Sequence, residues 1–420
     1  VSTLLPGPGV ELEVCLGIGT VQPGGVWDAG TFDYNTWQQT DTALGDWTDV
    51  TCDVIDQTIR SAAGSSPDGV VTRWEAATLN FALIGAVFDP RSGPYAGLLG
   101  PGLPVRMRWR PAGADQWIIG FAGYVDDDGF SYDPAIRQAG IAATDGTRIF
   151  AGYDGVEQPP AGAGETAADR VARIADLVGW PAGARDIDPG GVAVQSTTLA
   201  QAAWTLLLAV ADTDLALLWL TRAGLLAYRP QGKIRPSREL AAVIGCDVAD
   251  PPAGVTVIEP VNLTGQQPTI TRNVVSISRQ ARDENDTPVT VTVRDEPSIA
   301  RFLPHSYQRT DLIHYEDDWS STVADAVLAA GAWPSTAPAA ADLSSRVDPA
   351  ASALLLGLEP SLAVSVVDDT GTAWSCEPAG WDITISRAEI AGRIDLLDVS
   401  VWTGSAWDGG DGWDLGKWGY

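Results

Sequence analysis

The sequence is poor in histidine, cysteine and basic residues, and each shortage removes a class of function. Its only histidines, His305 and His314, lie nine residues apart in a stretch that reads as a loop. That spacing fits neither HExxH nor HxH ligation, so no metal, cofactor or catalytic residue is assigned. The four cysteines, Cys15, Cys52, Cys246 and Cys376, are far apart and form no CxxC or zinc pattern. Free, mostly buried thiols are expected. Only 26 Lys and Arg face 54 Asp and Glu, a formal charge of −28. Such a chain repels a duplex or an anionic membrane over about one Debye length, ~8 Å at physiological salt, which excludes specific nucleic-acid binding. No apolar run is long enough to span a bilayer, because "LAQAAWTLLLAVADTDLALLWL" is broken by Asp212 and Asp214. The first twenty residues lack a basic start and carry Glu11 and Glu13, so no secretory signal is expected. The glycines of "GPGVELEVCLGIG" flank a strand candidate and do not open a helix, which argues against a phosphate cradle.

What is present is a folded, β-rich chain in which hydrophobic residues make up 45 %. "VELEVCLG", "TDVTCDVIDQTIR", "VVTRWEAATLNFALI", "LPVRMRWRP", "DQWIIGFAGYVDDDGF" and "AGIAATDGTRI" read as strands between Pro/Gly punctuation. They predict a first β-barrel domain over 1–155, with a Trp-rich insertion at 21–47. The period then changes. "TAADRVARIADLVGW" places Val171, Ile174, Ala175 and Val178 on one helical face behind a cap of Thr166 and Asp169. "TLAQAAWTLLLAVADTD" repeats the device with Thr198 and Gln201, and two strands follow, so 156–245 is predicted to be α+β. A second β-barrel region is expected over 246–402, with a helical insert at about 300–345. In it "DDWSSTVADAVLAAGAWP" is a helix capped by Asp317 or Asp318, and an Ala/Pro/Ser-rich connector follows. Residues 403–420 form a Gly/Asp/Trp tail. The predicted fold class is mainly β with α+β inserts: two related β-barrel domains separated by a small α+β domain, as in a hub.

Aromatics are concentrated in two polar, Gly-rich segments. Trp27, Phe32, Trp37 and Trp47 lie in the first, and Trp407, Trp413 and Trp418 in the last. Large aromatics on Gly-rich arms suit segments that order against a partner, which makes these seven residues the candidate assembly interface. Packing on the chain's own barrel and a sugar-binding platform are the alternatives. Trp74, Trp109, Trp117 and Trp219 are expected in the core. The run Asp126-Asp127-Asp128 reads as a solvated turn at a strand end, with calcium ligation the alternative.

Several segments in order carry a resemblance. These are "WTDVTCDVIDQTIR", "VVTRWEAATLNFALIGAVFDPRSGPYAGLLGPGLPVRMRWR", "IIGFAGYVDDDGFSYDP", "AATDGTRIFAGYDG", "RNVVSISR" and "VRDEPSIARFLPHSYQRTDLIHY". Over about residues 10 to 402 the chain resembles minor tail proteins of long-tailed actinobacterial phages, and through them the baseplate hub of tailed phages. The Trp-rich insertion is longer than that pattern contains. The resemblance implies a structural, non-enzymatic homotrimer at the virion tail tip. Its implied partners are the distal tail protein, the tape measure protein and downstream minor tail or fibre proteins, with genomic DNA passing transiently and unbound. It leaves open a distal tail ring protein, or a carbohydrate-binding adsorption protein using the Trp segments.

Overall fold

The computed structural model describes residues 5–7, 10–17, 47–66, 73–112, 114–153, 158–230, 240–246, 248, 255–265, 272–334 and 337–398. The first β region contains β1 (Leu5–Gly7), β2 (Val10–Gly17), β3 (Trp47–Asp49), β4 (Ile59–Ala63), β5 (Thr78–Ile84), β6 (Pro104–Pro111), β7 (Ile118–Asp133) and β8 (Gln138–Thr144). The insert carries α1 (Thr147–Gly152), α2 (Ala167–Val178), β9 (Arg185–Ile187), α3 (Ala203–Asp214), β10 (Leu217–Leu220) and β11 (Leu226–Arg229). After β12 (Leu240–Gly245), β13 (Val257–Ile258) and β14 (Asn262–Gly265) comes a small α+β unit. Its elements are β15 (Val274–Arg279), β16 (Val291–Arg294), α4 (Glu296–Phe302), β17 (Ser306–Leu312) and α5 (Trp319–Gly331). The chain then forms β18 (Pro338–Ser344), α6 (Ala351–Gly357), β19 (Ala363–Val367), β20 (Ala373–Ile385) and β21 (Ile390–Asp398).

The architecture is mainly β with α+β inserts, as the sequence predicts, but the two β regions share one sheet. Fifteen strands run in the order β1-β2-β6-β7-β8-β5-β4-β20-β19-β12-β13, with β3 on β2 and with β21, β18 and β14 continuing from β20. Among the described residues no barrel is closed by a ladder. The first region curls instead. Val50 N–H donates to Val14 O at 2.9 Å, and Ile55 N–H to Ala82 O at 2.8 Å, so one segment ties β2 to β5. Thr51, fully buried, adds its hydroxyl as acceptor for Val14 N–H.

Strand β20 makes the join. Its first residues pair with β19 (Val364 opposite Cys376), its last with β4 (Ala63 opposite Trp381), and its other edge with β21 along its length. A bulge between Pro378 and Gly380 separates the two halves, and proline is tolerated in a strand at such a break. Gly380 is required by close approach: a Cβ there would lie 2.9 Å from Ala63 O. The main core accordingly mixes residues of both regions, such as Leu12, Leu79, Met107, Leu355, Val364 and Ile383.

The insert has its own core, in which Val171, Ile174 and Ala175 of α2 meet Leu207 and Val210 of α3, and Ala122 and Tyr124 of β7 join them. The predicted cap of α2 is present, Thr166 Oγ1 accepting from Asp169 N–H at 3.2 Å. That of α3 is not: Thr197–Leu199 is a short strand, and the helix begins after Ala202 without a side-chain cap. Nor does Asp318 cap α5, while Asp317 pairs with Arg279 at 2.7 Å. The stretch 48–60 is not one strand but β3, a 3-10 turn at Thr51–Asp53 and the start of β4. The expected Ala/Pro/Ser connector is also structured. It forms β18 and α6, whose Ala340, Ala341, Leu343, Leu355 and Leu356 are buried.

Candidate assembly surface

Buried polar contacts at the end of α3 and in the β10–β11 turn tie the insert to both β regions and to the small unit, and brace the insert internally. Asp212 is fully buried and receives Arg73 from the first β region and Arg309 from β17, the latter at 3.0 Å. Acidic residues at a helix C-terminus oppose the helix dipole, and the two guanidinium groups offset that penalty. Thr213 accepts Ile313 N–H at 3.0 Å, and its carbonyl accepts Trp319 Nε1–H at 2.6 Å. Asp214 accepts Val192 N–H at 2.6 Å and the Tyr228 hydroxyl at 2.5 Å, and burial raises its pKa to about 6. Arg222, in the β10–β11 turn, donates to Leu358 O, Leu355 O and Gly120 O, and its guanidinium lies 4.1 Å over Trp381. Burial pulls its pKa down to about 10.

The predicted chemistry-bearing residues fall mostly into such structural roles. His314 is buried, its Nδ1 on Glu316 O at 2.8 Å and its Nε2 on the Ser320 hydroxyl at 3.2 Å; burial lowers its pKa. His305 is exposed, with Nε2 3.1 Å from Phe302 O. Asp126-Asp127-Asp128 is not a strand-end turn: it is a bulge inside β7, between the Ala143–Val125 and Ile141–Phe130 pairs. Gly129 completes it because a Cβ there would lie 2.2 Å from Ala142 O. Asp126 accepts from Thr144 Oγ1 at 3.0 Å, and Asp127 pairs with Arg148. Cys15 and Cys376 are buried, Cys52 and Cys246 exposed, and none of the four is in a disulfide.

Of the candidate interface aromatics, Trp27, Phe32, Trp37, Trp407, Trp413 and Trp418 lie outside the described residues. Trp47 sits half-buried on the edge strand β3, packed on the insert core, with the Arg106 guanidinium 4.4 Å over its ring. Trp74, Trp109 and Trp219 are buried as expected, and Trp117 is half-buried against Arg108 and Arg110.

Two exposed apolar surfaces were not signalled by composition. Ile84, Val87 and Ile136 cluster at the end of the β5–β8 pair, where Gly85 N–H donates to Arg137 O. The second lies on the small unit. Leu303 is 71 % and Trp333 44 % exposed, and Trp333 meets half-buried Phe302 edge-on with ring centroids 5.6 Å apart. Leu303 has φ +66°, a conformation that non-glycine residues adopt only when their surroundings impose it. Buried Asn273 imposes it: its Nδ2 donates to Leu303 O at 2.8 Å and its Oδ1 accepts His305 N–H at 2.7 Å. The signal for this site was available in "ARFLPH", an apolar pair held before a proline, next to "GAWP".

Solved structures match this arrangement along almost its whole length. A tail protein from Neisseria meningitidis superposes with a TM-score of 0.51 at 13 % identity, over 94 % of this chain and 98 % of that one. The 43 kDa tail protein of prophage MuSo2 from Shewanella oneidensis gives 0.52 at 14 %, over 93 % and 99 %. The chain has the tail-protein fold. A prophage tail protein from Listeria monocytogenes matches at a TM-score of 0.47 and 9 % identity, over 85 % of this chain and 94 % of that one. No protein-family description and no curated protein sequence matches the chain. Within the tail-protein fold the two exposed apolar surfaces are the features left to explain.

Proposed function

We propose that this protein is a non-enzymatic structural component of a phage tail: the homotrimeric hub that closes and extends the tail tube at its tip. The supporting observation is the likeness to two tail proteins over 93 % or more of this chain and 98 % or more of theirs. In this reading regions 1–155 and 246–402 are two related β units flanking the 156–245 insert. Three chains then present six such units to a sixfold tube and a threefold face to whatever lies beyond, which adapts one symmetry to the other. The neighbours are the distal tail protein, the tape measure protein and downstream minor tail or fibre proteins. The −28 charge suits a channel that DNA crosses without binding, because acidic walls repel phosphates.

The aromatic arms serve assembly, each large side chain contributing about 1.5 to 3 kcal/mol when fully buried against a neighbour. Solution mass together with averaged electron micrographs tests the reading. A trimer with a central channel and a sixfold-looking face is expected. A hexamer would reassign the chain to the distal tail ring, and a monomer that binds glycans would make it a carbohydrate-adsorption protein.

A further inference from the structure

The two exposed apolar surfaces lie at opposite ends of the main ladder. Thr78, Ala62, Asp382, Arg393 and Asp342 stand in one row across β5, β4, β20, β21 and β18, and every pairing in that row is antiparallel. From the row, β5 therefore runs six residues one way to Ile84, while β18 runs four residues the other way to Pro338, where the small unit is attached. The two strand ends are roughly 33 Å apart along the ladder at about 3.3 Å per residue. Trp333 is five residues before Pro338, a reach of about 18 Å. One chain cannot bring its own two surfaces together, but two copies can.

The surfaces are complementary in charge as well as separate in place. Exposed Asp133 opens the turn that carries Ile136; its carboxylate accepts Ala135 N–H and pairs with no cation among the described residues. On the other surface exposed Arg301 lies 5.3 Å from the Phe302 ring and pairs with no carboxylate among the described residues. Each surface also contains a non-glycine residue held in the left-handed region, Arg137 beside Ile136 at φ +53° and Leu303 at φ +66°. Two different, complementary surfaces are what a heterologous contact requires, since every copy offers one to the neighbour ahead and the other to the neighbour behind.

We infer that the surfaces are the two halves of one contact between copies of this chain: Ile84, Val87 and Ile136 of one copy seat on Phe302, Leu303 and Trp333 of the next, with Asp133 against Arg301. The inference rests on the homotrimer reading and names the surfaces through which the copies join. Three such contacts close a ring in which neither surface is left open to water.

Native mass spectrometry of the full chain carrying Ile136→Asp or Leu303→Asp tests it. Aspartate tolerates a positive φ better than leucine does, and an unchanged amide-exchange map in the cores controls for folding in both variants. Each variant alone should be a monomer. An equimolar mixture should give a dimer and nothing larger, because the sound turn of the Leu303→Asp chain can meet the sound surface of the Ile136→Asp chain only once. Asp133→Arg and Arg301→Glu should each weaken association about tenfold, and the two together in one chain should restore it. Trimers that survive either apolar variant, no dimer in the mixture, or no rescue by the paired charge swap would overturn the inference and leave the trimer reading intact. A wild-type chain that is monomeric at every concentration would fail that reading, and the inference with it.

Discussion

Asp212, fully buried, holds two guanidinium groups from distant parts of the chain. Removing its carboxylate leaves Arg73 and Arg309 facing each other with Asp311, which pairs with Arg309 and also feels Arg73, as the acid that remains. Asp212→Ala should cost about 3–5 kcal/mol, the usual result of orphaning one side of a buried pair. A shift of the urea midpoint at constant slope would register it, and an unchanged midpoint would show that the junction is not structural. Asp145 and Asp214, with Glu359 raised by burial in the same sense, outweigh the opposite contribution of buried His314 in the pH response. Burial raises both aspartates to about 6 from an ordinary 3.8, so the folded chain binds their protons more tightly than the unfolded chain does. The stability they contribute is complete below about pH 4 and is lost as pH rises through about 6. The thermal midpoint should therefore rise between pH 7 and pH 5, and Asp145→Asn should flatten that slope; a midpoint that falls over this interval would contradict the assignment. In the sequence Asp212 and Asp214 are legible only as interruptions of an apolar run. The partners of Asp212 lie 139 and 97 residues away and those of Asp214 lie 22 and 14 away, so none leaves a trace in the local pattern.

At the scale of elements, period and capping make some pieces readable and leave others silent. Helix α2 announces itself through Thr166, Asp169 and a clean apolar stripe. For α3 the residues Thr198 and Gln201 imitate a cap, but the segment before Ala203 is taken by pairing: Leu199 opposes Gln158 in a short ladder, and a tertiary partner overrides local preference. Strand β18 and helix α6 were invisible because alanine and serine give neither period a strong contrast; only burial shows that Ala340 and Ala341 are core. Strand β20 is the element with most consequence for one position. Gly380→Val would drive a side chain into Ala63 O and separate β20 from β4. We expect a loss of about 2–4 kcal/mol, comparable to the larger core disruptions, with exchange rising first in β4. Wild-type protection of β4 in that variant would refute the role given to the bulge.

For the whole molecule, the order β, then α+β, then β is readable from composition and period. The joining of the two β regions is not. Strand partners are chosen by register and shape, which a single sequence does not display, and the expectation of separate barrels followed from treating each region alone. The exposed surface at Leu303 escaped notice for a related reason: apolar residues in a sequence read as core until their neighbours are known.

The position of β20 also sets a timetable for synthesis. Arg60 in β4 and its partner Asp382 in β20 are 322 residues apart, so the first β region leaves the ribosome with an edge that has no strand to pair with. At about 5–20 residues per second that edge waits roughly 16–65 s for its partner. During this interval nascent chains on neighbouring ribosomes expose identical unpaired edges, the condition for strand pairing between molecules.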